Sequence, residues 1–202
     1  MFKQILEELR EHAPFTIFGA VTAIIIMIIF RNIPAKVSYN IFYIFHPLHV
    51  LLSALVTAAM YKRHSFDKAK QKFYLLILLI IGYVGSIGIA TLSDSIIPYI
   101  GEKLLGLPHR HIHLGFIEKW WLINPLAIIG IIIAYFKPAT KVPHAGHVLI
   151  STWASLFHIL MAAAGPVGFY SYVAIFIFLF LSVWLPCCVS DIVFPLLFVK
   201  KK

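Results

Sequence analysis

Two histidines three residues apart stand in an apolar stretch of the chain, in the run His46-Pro47-Leu48-His49. Residues at positions i and i+3 of a helix share one face, with Cβ atoms about 5 to 6 Å apart. Pro47 has no amide hydrogen, so a helix here leaves the carbonyl of Tyr43 without its usual partner. Two imidazoles beside a freed carbonyl can bind a metal ion or relay protons. A proline kink with hydrogen-bonded histidines is the alternative interpretation.

The only two cysteines of the chain, Cys187 and Cys188, form a second group with Asp191. On a helix, Asp191 shares a face with Cys187 at i and i+4, and with Cys188 at i and i+3. Thiolates select soft or borderline ions such as Zn(II), Cu(I), Cd(II) or trivalent arsenic. The alternative is that the cysteines are small buried packing residues and that the carboxylate bonds to Ser190.

Two further ionisable residues, Asp94 and His158, also stand in apolar stretches. Such groups are costly in a bilayer and usually face an interior pathway or site. His158 shares a helical stripe with Ser151 and Ser155, and these serines are better explained as contacts between helices. We expect Asp94 to share a cavity with the two histidines of the first run, because a short segment joins their two apolar stretches.

A third histidine group lies between two apolar stretches, at His109, His111 and His113, with Glu118 following. Alternate residues of an extended segment can bring three imidazoles together, and such tracts are candidate metal-capture sites. Exposed histidines are also common without a ligand, and His147 is a weaker candidate because histidines at a helix entry often bond only to water. The sequence thus predicts metal ligands at His46, His49, Asp94, His158, Cys187, Cys188 and Asp191, and an outer capture site at His109, His111 and His113.

Six apolar stretches must position these residues, at about 13–30, 37–61, 73–100, 120–136, 147–164 and 169–199. Of the 202 residues, 61% are hydrophobic and 12% are charged, and the mean hydropathy is +0.92, whereas a soluble domain has about 25% charged residues. Backbone amides in lipid must be paired within their own segment. The sequence therefore predicts an all-α, polytopic membrane protein: a single domain, residues 1–202, of about six transmembrane helices at roughly 20 residues per span.

The basic residues predict the orientation of this bundle. Lys and Arg are concentrated in the segments that share a side with the N-terminus, notably 62–72 and 200–202. The positive-inside rule then predicts that both the N- and C-termini are cytoplasmic. Basic residues beside anionic headgroups account for the net charge of +9 without a nucleic-acid partner. We expect an integral protein of a prokaryotic plasma membrane, with the lipid bilayer and a metal or metalloid ion as partners. Six helices would also suit one half of a homodimer.

Ligand-type residues at several depths favour a transporter or permease over an enzyme. The runs His46-Pro47-Leu48-His49-Val50-Leu51-Leu52-Ser53-Ala54 and Pro186-Cys187-Cys188-Val189-Ser190-Asp191, with the histidine-rich middle, resemble prokaryotic membrane proteins described as heavy-metal or arsenic exporters. The resemblance implies efflux of a soft or transition-metal ion or a metalloid along a path lined by His, Cys and Asp.

Two alternatives remain open at this point. A zinc-dependent membrane hydrolase, similar to the ceramidase type, would use His46, His49 and His158 as zinc ligands and Asp94 beside Ser93 to activate a water molecule. A haem protein would use His49 and His158 as axial ligands. The sequence has neither HExxH nor CxxCH. A transition-metal ion, zinc or similar, is therefore predicted either as substrate or as cofactor.

Overall fold

The computed structural model describes residues 2–65, 73–138, 141–163, 165–188 and 193–198, without the side chains of 2–8, 11–12, 141–144, 188 and 196. Every regular element in these ranges is a helix, as the sequence predicts. The elements are α1 (Phe2–Ile29), α2 (Ala35–His64), α3 (Tyr74–Thr91), a π-helical turn (Leu92–Ile96), α4 (Ile97–Leu104), α5 (Gly115–Glu118), α6 (Trp120–Phe136), α7 (Lys141–Ala163), α8 (Phe169–Cys188) and α9 (Phe194–Leu197).

Four helical segments are long and apolar enough to cross a membrane: Ala35–His64, Tyr74–Leu104, Ala145–Ala163 and Phe169–Cys187. The segment Tyr74–Leu104 is one continuous helix made of α3, the π-helical turn and α4. Ala13–Ile29 and Trp120–Phe136 are apolar but shorter. The long apolar helices indicate a membrane-embedded protein, because a 30 Å hydrocarbon core needs about 20 apolar residues per helix.

The bundle exposes many large apolar side chains and buries many polar ones. Large apolar side chains such as Ile29, Leu75 and Ile132 are about half exposed or more, while Ser53 and Ser151 are completely buried. A surface of this kind suits lipid, because the polar groups find hydrogen-bond partners only inside the bundle.

Helix α2 lies at the centre of the bundle and packs against α3, α6 and α7, while α1 packs against α7 and α8. Its approach to α6 depends on Gly130, where an added Cβ would collide with the carbonyl oxygen of Leu51 and lie 2.9 Å from the Cβ of Ala54. Small residues allow helix backbones to come close in this way. The central position keeps His46, His49 and Ser53 of α2 buried.

Residues 105–119, which we call the His loop, cover one end of the bundle. The backbone amide of His109 donates to the carbonyl of Ala162 at 3.1 Å, and the Ser95 hydroxyl donates to the carbonyl of His113 at 2.7 Å. At the opposite end, Trp184 Nε1 donates to a carbonyl of α1 at 2.8 Å. The His loop is therefore attached to both α7 and the π-helical turn.

The predicted bounds of the apolar stretches agree best in the middle of the chain. The fourth stretch, 120–136, has the bounds of α6, whereas α1 continues the first stretch back to Phe2. The sixth stretch was predicted as one helix over 169–199. Helix α8 ends at Cys188 and α9 begins at Phe194, and residues 189–192 lie outside the described ranges.

Candidate metal centre

The carboxylate of Asp94 joins the two histidines of α2. Its Oδ2 atom lies 2.8 Å from Nδ1 of His46 and 2.8 Å from Nδ1 of His49. All three side chains are at most 1% exposed. The structure thus brings together the three residues for which the sequence predicted a shared cavity, and it does so with one oxygen atom.

The other carboxylate oxygen, Oδ1, accepts hydrogen bonds from Ser93 and Ser151, each at 2.7 Å. An ionised carboxylate offers about four acceptor positions and no donor. Asp94 therefore has the four donors that a buried anion requires. Because it can only accept, His46 and His49 must both donate from Nδ1. In its neutral form, each ring then has a lone pair on Nε2, and either ring nitrogen of a neutral imidazole can bind a metal.

The π-helical turn places this carboxylate. Its residues Ser93, Asp94 and Ser95 are consecutive and all completely buried. The Ser155 hydroxyl donates to the carbonyl of Ser93 at 2.9 Å, and this bond holds α7 against the turn. Turns of this type occur frequently at functional sites, but no signal in the sequence revealed this one.

A group of three donors lies on the far side of His49. One ligand atom from each of His49, His147 and Cys187 falls within 4.8 Å of the other two, and all three residues are buried. The rings of His49 and His147 are stacked, with centroids 5.7 Å apart. We call these residues the buried triad. The sequence made His147 only a weak candidate, while the Cys188 side chain and Asp191 lie outside what the structure describes.

Nε2 of His46 faces the His loop. A Cβ added to Gly115 would lie 2.5 Å from this nitrogen and 2.6 Å from Cδ1 of Ile123. Only glycine fits here, so the loop backbone closes over the imidazole. His46 therefore shares the carboxylate with His49 but points its second nitrogen in another direction.

His158 has a different carboxylate partner. Its Nδ1 lies 2.6 Å from Oε1 of Glu102, and both side chains are buried. Among the described residues, Nε2 of His158 and Oε2 of Glu102 have no hydrogen-bond partner. The ring of Phe42 packs against both His158 and His46. The three histidines of the hydrolase hypothesis therefore bond to two separate carboxylates.

The His loop carries a second three-donor group, which we call the outer triad: His111, His113 and Glu118. Oε2 of Glu118 accepts hydrogen bonds from Tyr43 at 2.6 Å and from His113 at 3.1 Å. Burial lowers the pKa of His113 below its ordinary value, and the Glu118 carboxylate partly offsets this. Burial alone would raise the pKa of Glu118, but the hydrogen bonds from Tyr43 and His113 outweigh it and lower that pKa. His109 is not in this group.

No protein-family model, curated protein or solved structure matches this chain.

A series of aromatic and imidazole ring contacts connects the outer triad to the buried His46. The ring centroids of His111 and His113 are 4.9 Å apart, and those of His113 and His158 are 5.4 Å apart. The next ring centroid distances are 5.5 Å from His158 to Phe42 and 5.0 Å from Phe42 to His46. From His46, the Asp94 carboxylate leads to His49, which belongs to the buried triad. Histidine rings thus extend from the exposed end of the bundle into its core, with the apolar ring of Phe42 between His158 and His46.

Proposed function

We propose that this protein is a membrane transporter for a soft or transition-metal ion or a metalloid. The series of donor side chains from the exposed His111 to the buried Cys187, interrupted only by the ring of Phe42 among the contacts described, is the observation that supports this most. A transporter must offer its ion successive sites across the membrane, whereas a hydrolytic zinc needs its ligands around one point. Imidazole and thiolate donors suit borderline and soft ions.

The proposed topology has six transmembrane helices with cytoplasmic N- and C-termini in a prokaryotic plasma membrane. It is supported by the concentration of Lys and Arg on the side of the N-terminus. The His loop then faces the outside. A single cysteine placed at Ile112 in a Cys-free variant tests this: an impermeant thiol reagent applied outside intact cells should label it. Labelling only after permeabilisation would overturn the orientation.

Transport itself is tested with the purified protein in sealed lipid vesicles. Wild-type vesicles should exchange radioactive zinc many times faster than protein-free vesicles, and His49→Gln should reduce the rate to the protein-free level. Glutamine removes the lone pair of Nε2 that a passing ion needs. The resemblance to heavy-metal and arsenic exporters implies efflux, and loading the zinc inside or outside measures the direction.

His64→Gln is the matched control for this experiment. His64 is on the same helix, but it is exposed at the C-terminal end of α2 and bonds to the carbonyl of Met60. Its replacement should leave zinc exchange unchanged. If wild-type vesicles move zinc, copper(I) and arsenite no faster than protein-free vesicles, the protein is not a transporter of this class.

A further inference from the structure

The buried triad draws one donor from each of three helices. His49 lies on α2, His147 on α7 and Cys187 on α8, and their ligand atoms are within 4.8 Å of one another. Among the described residues, Nε2 of His49 is a buried nitrogen without a hydrogen-bond partner. We propose that the buried triad binds a divalent ion of the zinc class, as the central site of the proposed transporter. Its status as transported substrate rests on that function.

The spacing of the donors fits such an ion after a small contraction. Tetrahedral zinc binds nitrogen at about 2.0 Å and sulfur at about 2.3 Å, which places neighbouring ligands roughly 3.3 to 3.5 Å apart. The present spread of up to 4.8 Å must therefore shrink by up to about 1.5 Å. Three protein ligands leave a fourth tetrahedral position open. An open position lets an ion arrive or leave by ligand exchange.

Asp94 orients His49 without being a ligand of the ion. It accepts the Nδ1 hydrogen of His49 at 2.8 Å, which fixes the tautomer that presents Nε2. Zinc-binding histidines usually have a carboxylate or carbonyl in this position, and its loss lowers affinity 10- to 100-fold. The carboxylate is itself fully hydrogen-bonded, so it does not need to bind the ion.

Charge selects the valence of the ion. Ligation removes the thiol proton of Cys187, which leaves to solvent as the S–H bond is replaced by a metal–sulfur bond. The thiolate and the Asp94 carboxylate then carry two negative charges in a core where uncompensated charge is costly. A divalent ion neutralises both, whereas copper(I) leaves one negative charge. Magnesium and calcium are excluded because they prefer oxygen ligands.

Cobalt(II) titration of the purified, detergent-solubilised protein tests the site. Cobalt(II) is a spectroscopic substitute for zinc and absorbs in the near ultraviolet when a thiolate binds it. One equivalent should produce this band together with the visible bands of tetrahedral cobalt, and zinc should bleach both. Cys187→Ser should abolish the near-ultraviolet band, and His147→Gln should weaken binding at least tenfold.

The neighbouring cysteine provides the matched control. Cys188→Ser makes the same chemical change one residue later and should leave the thiolate band intact. Loss of the band in Cys188→Ser and not in Cys187→Ser would overturn the assignment. A measurement without any variant guards against misfolding: X-ray absorption of the zinc-loaded wild type should show one sulfur and at least two nitrogen ligands. A zinc shell without sulfur overturns the proposal.

The site and the transport function fail in different ways. If the wild-type protein gives the thiolate band in detergent but moves no zinc in vesicles, the proposed site is supported and the proposed transport function is wrong. If it moves zinc but gives no thiolate band, the transport function is supported and the proposed site is wrong.

Discussion

The outer triad and the buried triad each combine three donors, but they are built in different ways. The outer triad comes from one short segment, His111 to Glu118, and all its members are at least partly exposed. The buried triad comes from three helices and is shielded from solvent. A single short segment can change its local conformation to bind an ion, whereas donors on three helices come together only when those helices are packed. We therefore expect the exposed outer triad to suit capture of an ion and the buried triad to suit its retention.

The donor types follow the same division. The outer triad contains a carboxylate that is also held by Tyr43, and water can replace any donor that an ion leaves. The buried triad instead contains a thiol, whose proton must leave when an ion binds. We expect ions to exchange quickly at the outer triad and slowly at the buried one.

Asp94→Asn should have the largest effect, because it breaks the support of the buried triad and leaves the outer triad intact. The amide nitrogen of Asn is a donor, so it must face one of the hydrogens that the carboxylate now accepts. At least one histidine must then change tautomer and lose its free Nε2. Zinc exchange in vesicles should fall to background, cobalt affinity should fall about 10- to 100-fold, and the free energy of unfolding should drop by about 1 to 3 kcal/mol.

Ser151→Ala is the graded control for this substitution, because it removes one of the four donors to Asp94. Its effect on zinc exchange should be clearly smaller than that of Asp94→Asn. Full zinc exchange by Asp94→Asn would show that the carboxylate does not support the site.

The same substitution in each triad should have different kinetic effects. His147→Gln removes a retaining ligand and should lower the maximal rate of zinc exchange about tenfold. His111→Gln weakens only capture, so it should raise the half-saturating zinc concentration a few-fold with little change in the maximal rate. Initial rates over a range of zinc concentrations distinguish the two. Equal effects of the two variants on both parameters would remove the functional difference between the triads.

The pH dependence of capture should show the smallest effect. A protonated imidazole cannot bind a metal, and burial lowers the pKa of His113 below its ordinary value of 6.5. The contribution of His113 to capture should therefore be lost only at pH values below 6.5, where the half-saturating concentration should rise. Glu118→Gln removes a carboxylate that raises this pKa, so the rise should begin at a still lower pH, while affinity is weaker throughout. In the His111→Gln variant, where His113 is the remaining imidazole of the outer triad, a rise that begins above pH 6.5 would contradict the lowered pKa of His113.

Much of the helical content could be predicted from the sequence, because long apolar runs can satisfy their backbone only as helices. The proximity of Asp94 to His46 and His49 also followed from a short connection between two stretches. That these residues bind a metal remains a prediction.

Glu102 could not have been found in this way. It lies beyond the π-helical turn, which absorbs an additional residue, so later side chains lie about 100° from where an uninterrupted α-helix would put them. A constant helical period therefore assigns it to the wrong face. His147 was undervalued for another reason: its partners come from two other helices, and no spacing along the chain records that arrangement.

The hydrogen bonds of Asp94 also have a consequence for biosynthesis. Its partners on α2 precede it in the chain, but Ser151 follows 57 residues later. At about 5 to 20 residues per second, the ribosome needs about 3 to 11 s to supply that residue. During this interval the Ser93 hydroxyl can bond to Oδ1 of Asp94, but the Ser151 hydroxyl is not yet present. The nascent α2 and α3 must therefore stay accessible to α7 for several seconds, so that a chain stalled before residue 151 would be a natural substrate for membrane quality control.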